Sequence, residues 1–194
     1  MNFLEEKILS DGIVKEGNVL KVDSFLNHQL DIDVIRQIAY ELKSRFRDVE
    51  VTKVLTIEAS GIAIATMMGD IREVPVVFAK KHETVNSTDD KYVSAAYSFT
   101  QRRENHVFVS KPYLSRDDRV LIVDDFLADG EAAHALIDIV HQAGAQVVGI
   151  GVAIEKASQQ GGRRLRDEGY RVESVANIES MDFETQTIRF VESD

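Results

Sequence analysis

Apolar residues recur along this chain with two periods, and the alternation between them predicts the element order. Between 31 and 47, Ile35, Ile38, Ala39, Leu42 and Phe46 fall at helical spacing, and Asp31 stands where an N-cap belongs. Val54 to Ile57 reads as a short buried strand, and 60–71 as the helix after it. Pro75 opens a strand over 76–79. The stretch from Lys80 to Tyr92 (KKHETVNSTDDKY) is polar and aperiodic, so it reads as a long loop, a kind that is usually functional in a compact domain. Residues 93–100 and 107–110 look like an antiparallel pair. A strand over 146–154, a polar helix near 161–168, and strands over 171–176 and 187–191 complete the chain. Strands alternating with helices call for an α/β fold, a mainly parallel central sheet with helices on both faces.

One stretch implies a chemistry. In VLIVDDFLADGEAAHALIDIV (120–140), an apolar run of the kind a doubly covered parallel strand needs leads to Asp124 and Asp125, then to a loop around Gly130 and an amphipathic helix. Both aspartates are therefore expected at the carboxyl end of the strand. In open α/β sheets that end borders the ligand crevice, and the following helix aims its unpaired N–H groups at the same place. Carboxylates for hydroxyls and N–H groups for phosphate suit a ribose phosphate. The plainer alternative is that Asp125 or Asp129 only caps the helix starting near Glu131. The segment is neither a Walker A loop nor a Gly-x-Gly-x-x-Gly dinucleotide turn.

Composition bounds the rest. With 194 residues, 44% of them hydrophobic, the chain is expected to form one domain. There are no cysteines, so disulfides and thiolate zinc sites are excluded, and no metal held by the protein's own ligands is expected. The start, MNFLEEKILSDG, has three acidic residues and no basic n-region, unlike a signal peptide, and no run reaches the roughly 18 apolar residues of a membrane span. A cytoplasmic location is expected. A formal net charge of −10 argues against general nucleic-acid binding. It also means that an anionic ligand must be bound locally, by helix N-termini and a few cations. Lys80, Lys81 and His82 form one basic cluster, which charge pattern alone reads equally well as a solvated run.

The 120–140 segment resembles the phosphoribosyl-pyrophosphate (PRPP) motif of the type I phosphoribosyltransferases. VLKVDSFLNHQLD (19–31), TIEASGIAIA (56–65), VPVVFAKKH (74–82), AAYSFT (95–100) and GIGVAIEKASQQGG (149–162) extend the resemblance to the bacterial branch that acts on xanthine. The resemblance implies the type I fold, with a small hood from segments of about 1–30 and 155–194. It implies that Asp124 and Asp125 orient the ribose hydroxyls, that Ala128, Asp129, Gly130, Glu131 and Ala132 hold the 5-phosphate, and that Ala59, Ser60, Gly61 and Lys81 meet the pyrophosphate. Leu20, Asn27 and Lys156 would contact xanthine, and the 80–92 loop would close over PRPP. From the residues alone, Ser60 is an ordinary N-cap and Asn27 and Lys156 are unremarkable. Mg²⁺ carried on PRPP, and a homodimer, are further implications.

Displacing pyrophosphate from ribose C1 builds positive charge on the ring, so catalysis rests on alignment, charge stabilisation and leaving-group neutralisation. No nucleophile is needed. Phe126 and Leu127 are candidates for an apolar wall beside the base, and the five histidines default to surface or satisfied core roles. Where many family members have hydroxyl-bearing phosphate loops, this chain has Asp129 and Glu131, whose carboxylates are expected to turn away from the phosphate and leave binding to backbone N–H groups. Ala128 stands where hypoxanthine and guanine enzymes typically carry an aspartate, which leaves the acceptor of the purine proton unassigned. A guanine or hypoxanthine enzyme, or a non-catalytic PRPP-sensing regulator, are the alternative readings.

Overall fold

The computed structural model describes residues 1–81, 90–98 and 103–192. Of the expected closing loop, 82–89 lie outside the described residues, as do His82 of the basic cluster and the last two residues of the strand expected over 93–100. Among the described residues no helix is long and apolar enough to cross a membrane.

Among the described residues five α-helices, α1 (Phe3–Asp11), α2 (Ile32–Arg45), α3 (Gly61–Arg72), α4 (Glu131–Gln142) and α5 (Gly161–Asp167), accompany ten strands. A hairpin of β1 (Ile13–Lys15) and β2 (Val19–Lys21) follows α1. The central sheet has the order β10 (Thr187–Phe190), β9 (Val172–Asp182), β8 (Gln146–Lys156), β7 (Arg119–Leu127), β3 (Lys53–Ile57), β4 (Val76–Ala79). All its neighbours are parallel except β10 on β9. A ribbon of β5 (Lys91–Ser98) and β6 (Arg103–Ser110) joins its edge through a bridge between Lys80 and Phe108.

Successive residues of a strand point to opposite faces, and the two cores divide accordingly. Leu121 and Val123 pack with α1, α2 and α3, whereas Val120 and Ile122 pack with α4 and with Leu165 of α5. This is why β7 carries an unbroken apolar run. Asp31 caps α2, accepting from the N–H groups of Asp33 (3.1 Å) and Val34 (3.2 Å).

Several elements depart from the sequence reading: β5 begins at Lys91, inside the expected loop, β6 begins at Arg103 rather than 107, β9 runs on to Asp182 rather than 176, and α1, β1 and β2 were not expected. Helix α1 begins with a full capping box, in which Asn2 Oδ1 accepts from the Leu4 and Glu5 N–H groups and Glu5 accepts from the Asn2 N–H at 2.8 Å; an Asn followed three residues later by Glu was its visible signal. And β7 does not end at the aspartates. It pairs with β8 as far as Leu127 opposite Glu155, because Phe126 and Leu127 are good strand residues with a partner still beside them. The neighbour on its other side stops earlier, the β3 ladder ending at Leu55 opposite Ile122. Asp124 and Asp125 therefore lie inside a strand, at the point where one of its two neighbours leaves.

Candidate active site

The strand order places a crevice at those aspartates. From β3 the chain crosses through α3 to β4 on one side, and from β7 it crosses through α4 to β8 on the other. The winding reverses between β3 and β7, and in open α/β sheets ligands bind outside the carboxyl ends of strands at such a point. Helices α3 and α4 both begin there, one on each face of the sheet, so two sets of helix N–H groups converge on one cleft.

Asp125 is buried and Asp124 half-buried. The Asp125 N–H donates to Asp124 Oδ1 at 2.9 Å. Burial, followed by the charge of the adjacent Asp125, pushes the Asp124 carboxyl well above the usual carboxylate range, while the Lys81 ammonium pulls it the other way. Lys81 thus stands within electrostatic reach of the aspartates, and its N–H donates to Glu58 at 2.6 Å.

The strand-to-helix turn after β3 is built from Glu58, Ala59, Ser60 and Gly61, and its Glu58–Ala59 peptide bond is cis. Ala59 and Ser60 are exposed, and the Ser60 side chain makes no capping bond, so the ordinary N-cap role is not what it does here. Gly61 is buried against the aspartate itself. A Cβ there would overlap the Thr56 hydroxyl and stand 2.6 Å from Asp124 Oδ1. The glycine is required for packing against Asp124, a neighbour that sequence reading did not supply.

In the loop before α4, Gly130 has φ +88°, a conformation that favours glycine. Asp129 Oδ1 turns back to accept from the Glu131 N–H at 3.1 Å, and Glu131 pairs with Arg164 of α5 at 3.1 Å. Asp129 thus closes a local turn onto the first residue of α4, whose N-cap is Gly130 and which has no side-chain capping bond, so the plainer alternative of an Asp125 or Asp129 cap is not what forms. A narrow cavity of 110 Å³ runs beside the loop, between Asp124, Phe126, Gly130 and the first turn of α4.

The residues expected near the base are placed less uniformly. Lys156 ends β8 with its ammonium 5.5 Å from the centre of the Phe126 ring, and burial lowers its pKa from the ordinary lysine value. Phe126 follows Asp125 directly in β7, so Lys156 lies beside the stretch of strand that carries the aspartates. Asn27 closes a π-helical turn, Asp23–Asn27, and is exposed. The Leu20 side chain is buried in the core with Val22 and Phe25, which leaves only its backbone to face a ligand.

Two groups at the site escaped the sequence reading. Glu155 is 2% exposed and bonded twice to Arg166, at 2.7 and 2.8 Å; its signal was a lone acid directly after the apolar run 149–154. Thr56 is fully buried, and its hydroxyl has no hydrogen-bond partner among the described residues. His134 is a partnered histidine, with Nε2 2.9 Å from Glu168 and Nδ1 2.8 Å from the Gly130 carbonyl.

Known proteins resemble this chain in sequence and in fold. The model of the phosphoribosyl transferase domain matches residues 21–187. A xanthine phosphoribosyltransferase of Bifidobacterium adolescentis is 51% identical over 191 residues, covering 98% of this chain and 99% of the relative. One of Oceanobacillus iheyensis is 49% identical over 192 residues, covering 99% and 98%. Among solved structures, Giardia lamblia adenine phosphoribosyltransferase with 9-deazaadenine superposes with a TM-score of 0.76 at 21% identity, covering 93% of this chain and all of that one. The Rhodothermus marinus enzyme gives 0.74 at 23%, covering 90% and 98%. These two share the fold. With the family model spanning most of its length and relatives about half identical from end to end, the chain belongs to the phosphoribosyltransferase family.

Proposed function

We propose that the protein transfers the 5-phosphoribosyl group of PRPP to xanthine, releasing pyrophosphate and giving xanthosine 5′-monophosphate, a step of purine salvage. The observation that carries the transfer is the Asp124–Asp125 pair set between two helix N-termini where the sheet winding reverses. The choice of xanthine rests on the relatives of that name, which match over nearly the full chain.

In this reading the 128–132 loop takes the 5-phosphate through its backbone N–H groups other than that of Glu131, which Asp129 holds, and the turn at Ala59, Ser60 and Gly61 takes the pyrophosphate together with Lys81. Asp124 and Asp125 hold the ribose hydroxyls, and their negative charge stabilises the ring as C1 loses its leaving group. The aspartate pair suits a divalent cation brought in by the substrate, since a cation would offset the burial and, after it, the adjacent charge that raise Asp124. Mg²⁺ carried on PRPP would supply charge neutralisation of the pyrophosphate leaving group. Phe126 forms one wall of the base site, and Lys156, with its ammonium already partly desolvated, donates to the 6-oxo group. Asn27 offers both a donor and an acceptor to the 2-oxo edge. Segments 1–30 and 155–194 form the hood over the base, and the working unit is a homodimer.

A parallel assay of xanthine, guanine, hypoxanthine and adenine with PRPP and Mg²⁺, following pyrophosphate release, tests this. Xanthine turnover that Asp124→Asn abolishes is expected. Preference for guanine or hypoxanthine would overturn the choice of base, and PRPP binding without turnover of any base would make the protein a sensor. Sedimentation of the purified chain checks the dimer.

A further inference from the structure

Helix α5 follows Lys156 by one short turn, Ala157–Gln159, and then doubles back on the phosphate loop. The Gly161 N–H donates to the Ala128 carbonyl at 3.0 Å. At this crossing there is no room for a side chain. A Cβ on Gly161 would stand 2.5 Å from the Ala128 oxygen, 2.5 Å from the Gly130 nitrogen and 2.6 Å from the Asp129 carbonyl carbon. All three are backbone atoms, so no rotamer change relieves the contact. From the other side, a Cβ on Gly130 would meet Gly161 Cα at 3.3 Å.

The helix that carries Gly161 is itself fastened. Arg166 donates twice to the buried Glu155 of β8 and once to the Val172 carbonyl at 3.2 Å. Gly162 faces side chains instead of backbone, since a Cβ there would overlap the Glu155 carboxylate. Arg164 to Glu131 and His134 to Glu168 add two ties between α4 and α5.

We propose that Gly161 is a positioning residue for the PRPP phosphate loop, held in place by the Glu155–Arg166 pair. This rests on the assignment of 128–132 to the 5-phosphate. In a trans peptide the C=O of one residue and the N–H of the next point in opposite directions. By anchoring the Ala128 carbonyl toward α5, Gly161 turns the Asp129 N–H away from α5 and fixes it as a donor. Phosphate affinity then depends on a residue that touches no ligand, and a brace running from Glu155 ties it to the strand that ends in Lys156.

The test measures Gly161→Ala and Arg166→Gln beside the wild type, by steady-state kinetics and by calorimetric titration with ribose 5-phosphate and, separately, pyrophosphate. Gly161→Ala is expected to raise KM for PRPP and weaken ribose 5-phosphate by about tenfold or more, the loss of one charge-assisted hydrogen bond. Its kcat, its KM for xanthine and its pyrophosphate affinity stay within about twofold, which corresponds to under 0.5 kcal/mol. Arg166→Gln is expected to show the same pattern more weakly, and it decides the matter should Gly161→Ala not fold. An unchanged KM for PRPP in a folded variant, or a fall in kcat with KM intact, would overturn the brace. A wild type that turns over PRPP yet binds no ribose 5-phosphate would overturn both the loop assignment and the brace. Absence of turnover in the wild type counts instead against the proposed activity.

Discussion

Gly61→Ala is a severe test of the site, because one methyl group acts on two strands at once. The added carbon would overlap the Thr56 hydroxyl and stand 2.6 Å from Asp124 Oδ1, where ordinary contact begins at 3.4 Å. Most of an ångström must open. Thr56 is fully buried on β3 and cannot swing into free space, so either the start of α3 or the Asp124 carboxylate moves. Overpacking of this kind costs about 1–3 kcal/mol. Alanine for glycine within a helix otherwise gains up to about 1 kcal/mol, so any net loss of stability isolates the clash. On catalysis the effect is larger, since displacing a positioned group by about 1 Å costs about a hundredfold. We therefore expect kcat/KM for PRPP to fall by about that factor, with the urea midpoint lowered. Adding Thr56→Ala removes the first overlap and leaves the second, so stability returns while much of the activity does not. A Gly61→Ala variant with kcat/KM within about twofold of wild type, a difference under 0.5 kcal/mol, would refute the reasoning.

Three further outcomes are expected. The folded-state pKa of Asp124 is raised, so above the ordinary carboxylate pKa of about 3.9 the native state holds a proton that the unfolded chain has lost, and the contribution of Asp124 to stability falls as pH rises through that window. Asp124→Asn removes that slope, and urea unfolding at acid and at neutral pH should show a variant that is inactive yet loses less stability with rising pH than wild type. Lys156→Met keeps the stem over Phe126 and removes the donor; a charged hydrogen bond of about 1.5–3 kcal/mol predicts at least a tenfold rise in KM for xanthine with KM for PRPP unchanged. Gly149→Ala would place a Cβ over the buried Phe46 ring, with two ring carbons at 3.0 Å, for a loss of about 1–3 kcal/mol that Phe46→Leu partly rescues. Strict additivity of those two substitutions in thermal unfolding would count against direct contact.

Much of the α/β framework was legible in the chain because local rules and tertiary packing agreed. Asp31 and the apolar stripe of α2, the continuous run of β7 and the breaker Pro75 each have one good reading, and the sheet used it. The double aspartate stood out in the chain because carboxylates in an otherwise apolar strand are costly to bury without partners. What only the tertiary structure decided is how long each strand runs and which glycines are bare for the sake of another segment. β7 passes the aspartates because β8 is still beside it, and that partner lies more than twenty residues away in the sequence. Gly61 is bare because Asp124 presses on it, and Gly161 because the Ala128–Gly130 backbone crosses it. Glu155 is tolerated in a buried strand because Arg166 reaches it from a helix not yet formed when the strand is read. Periodicity and turn chemistry are properties of neighbours in sequence, so one chain suffices to read them. Exclusion of a side chain is a property of neighbours in space, and it exists only once the sheet has brought those segments together.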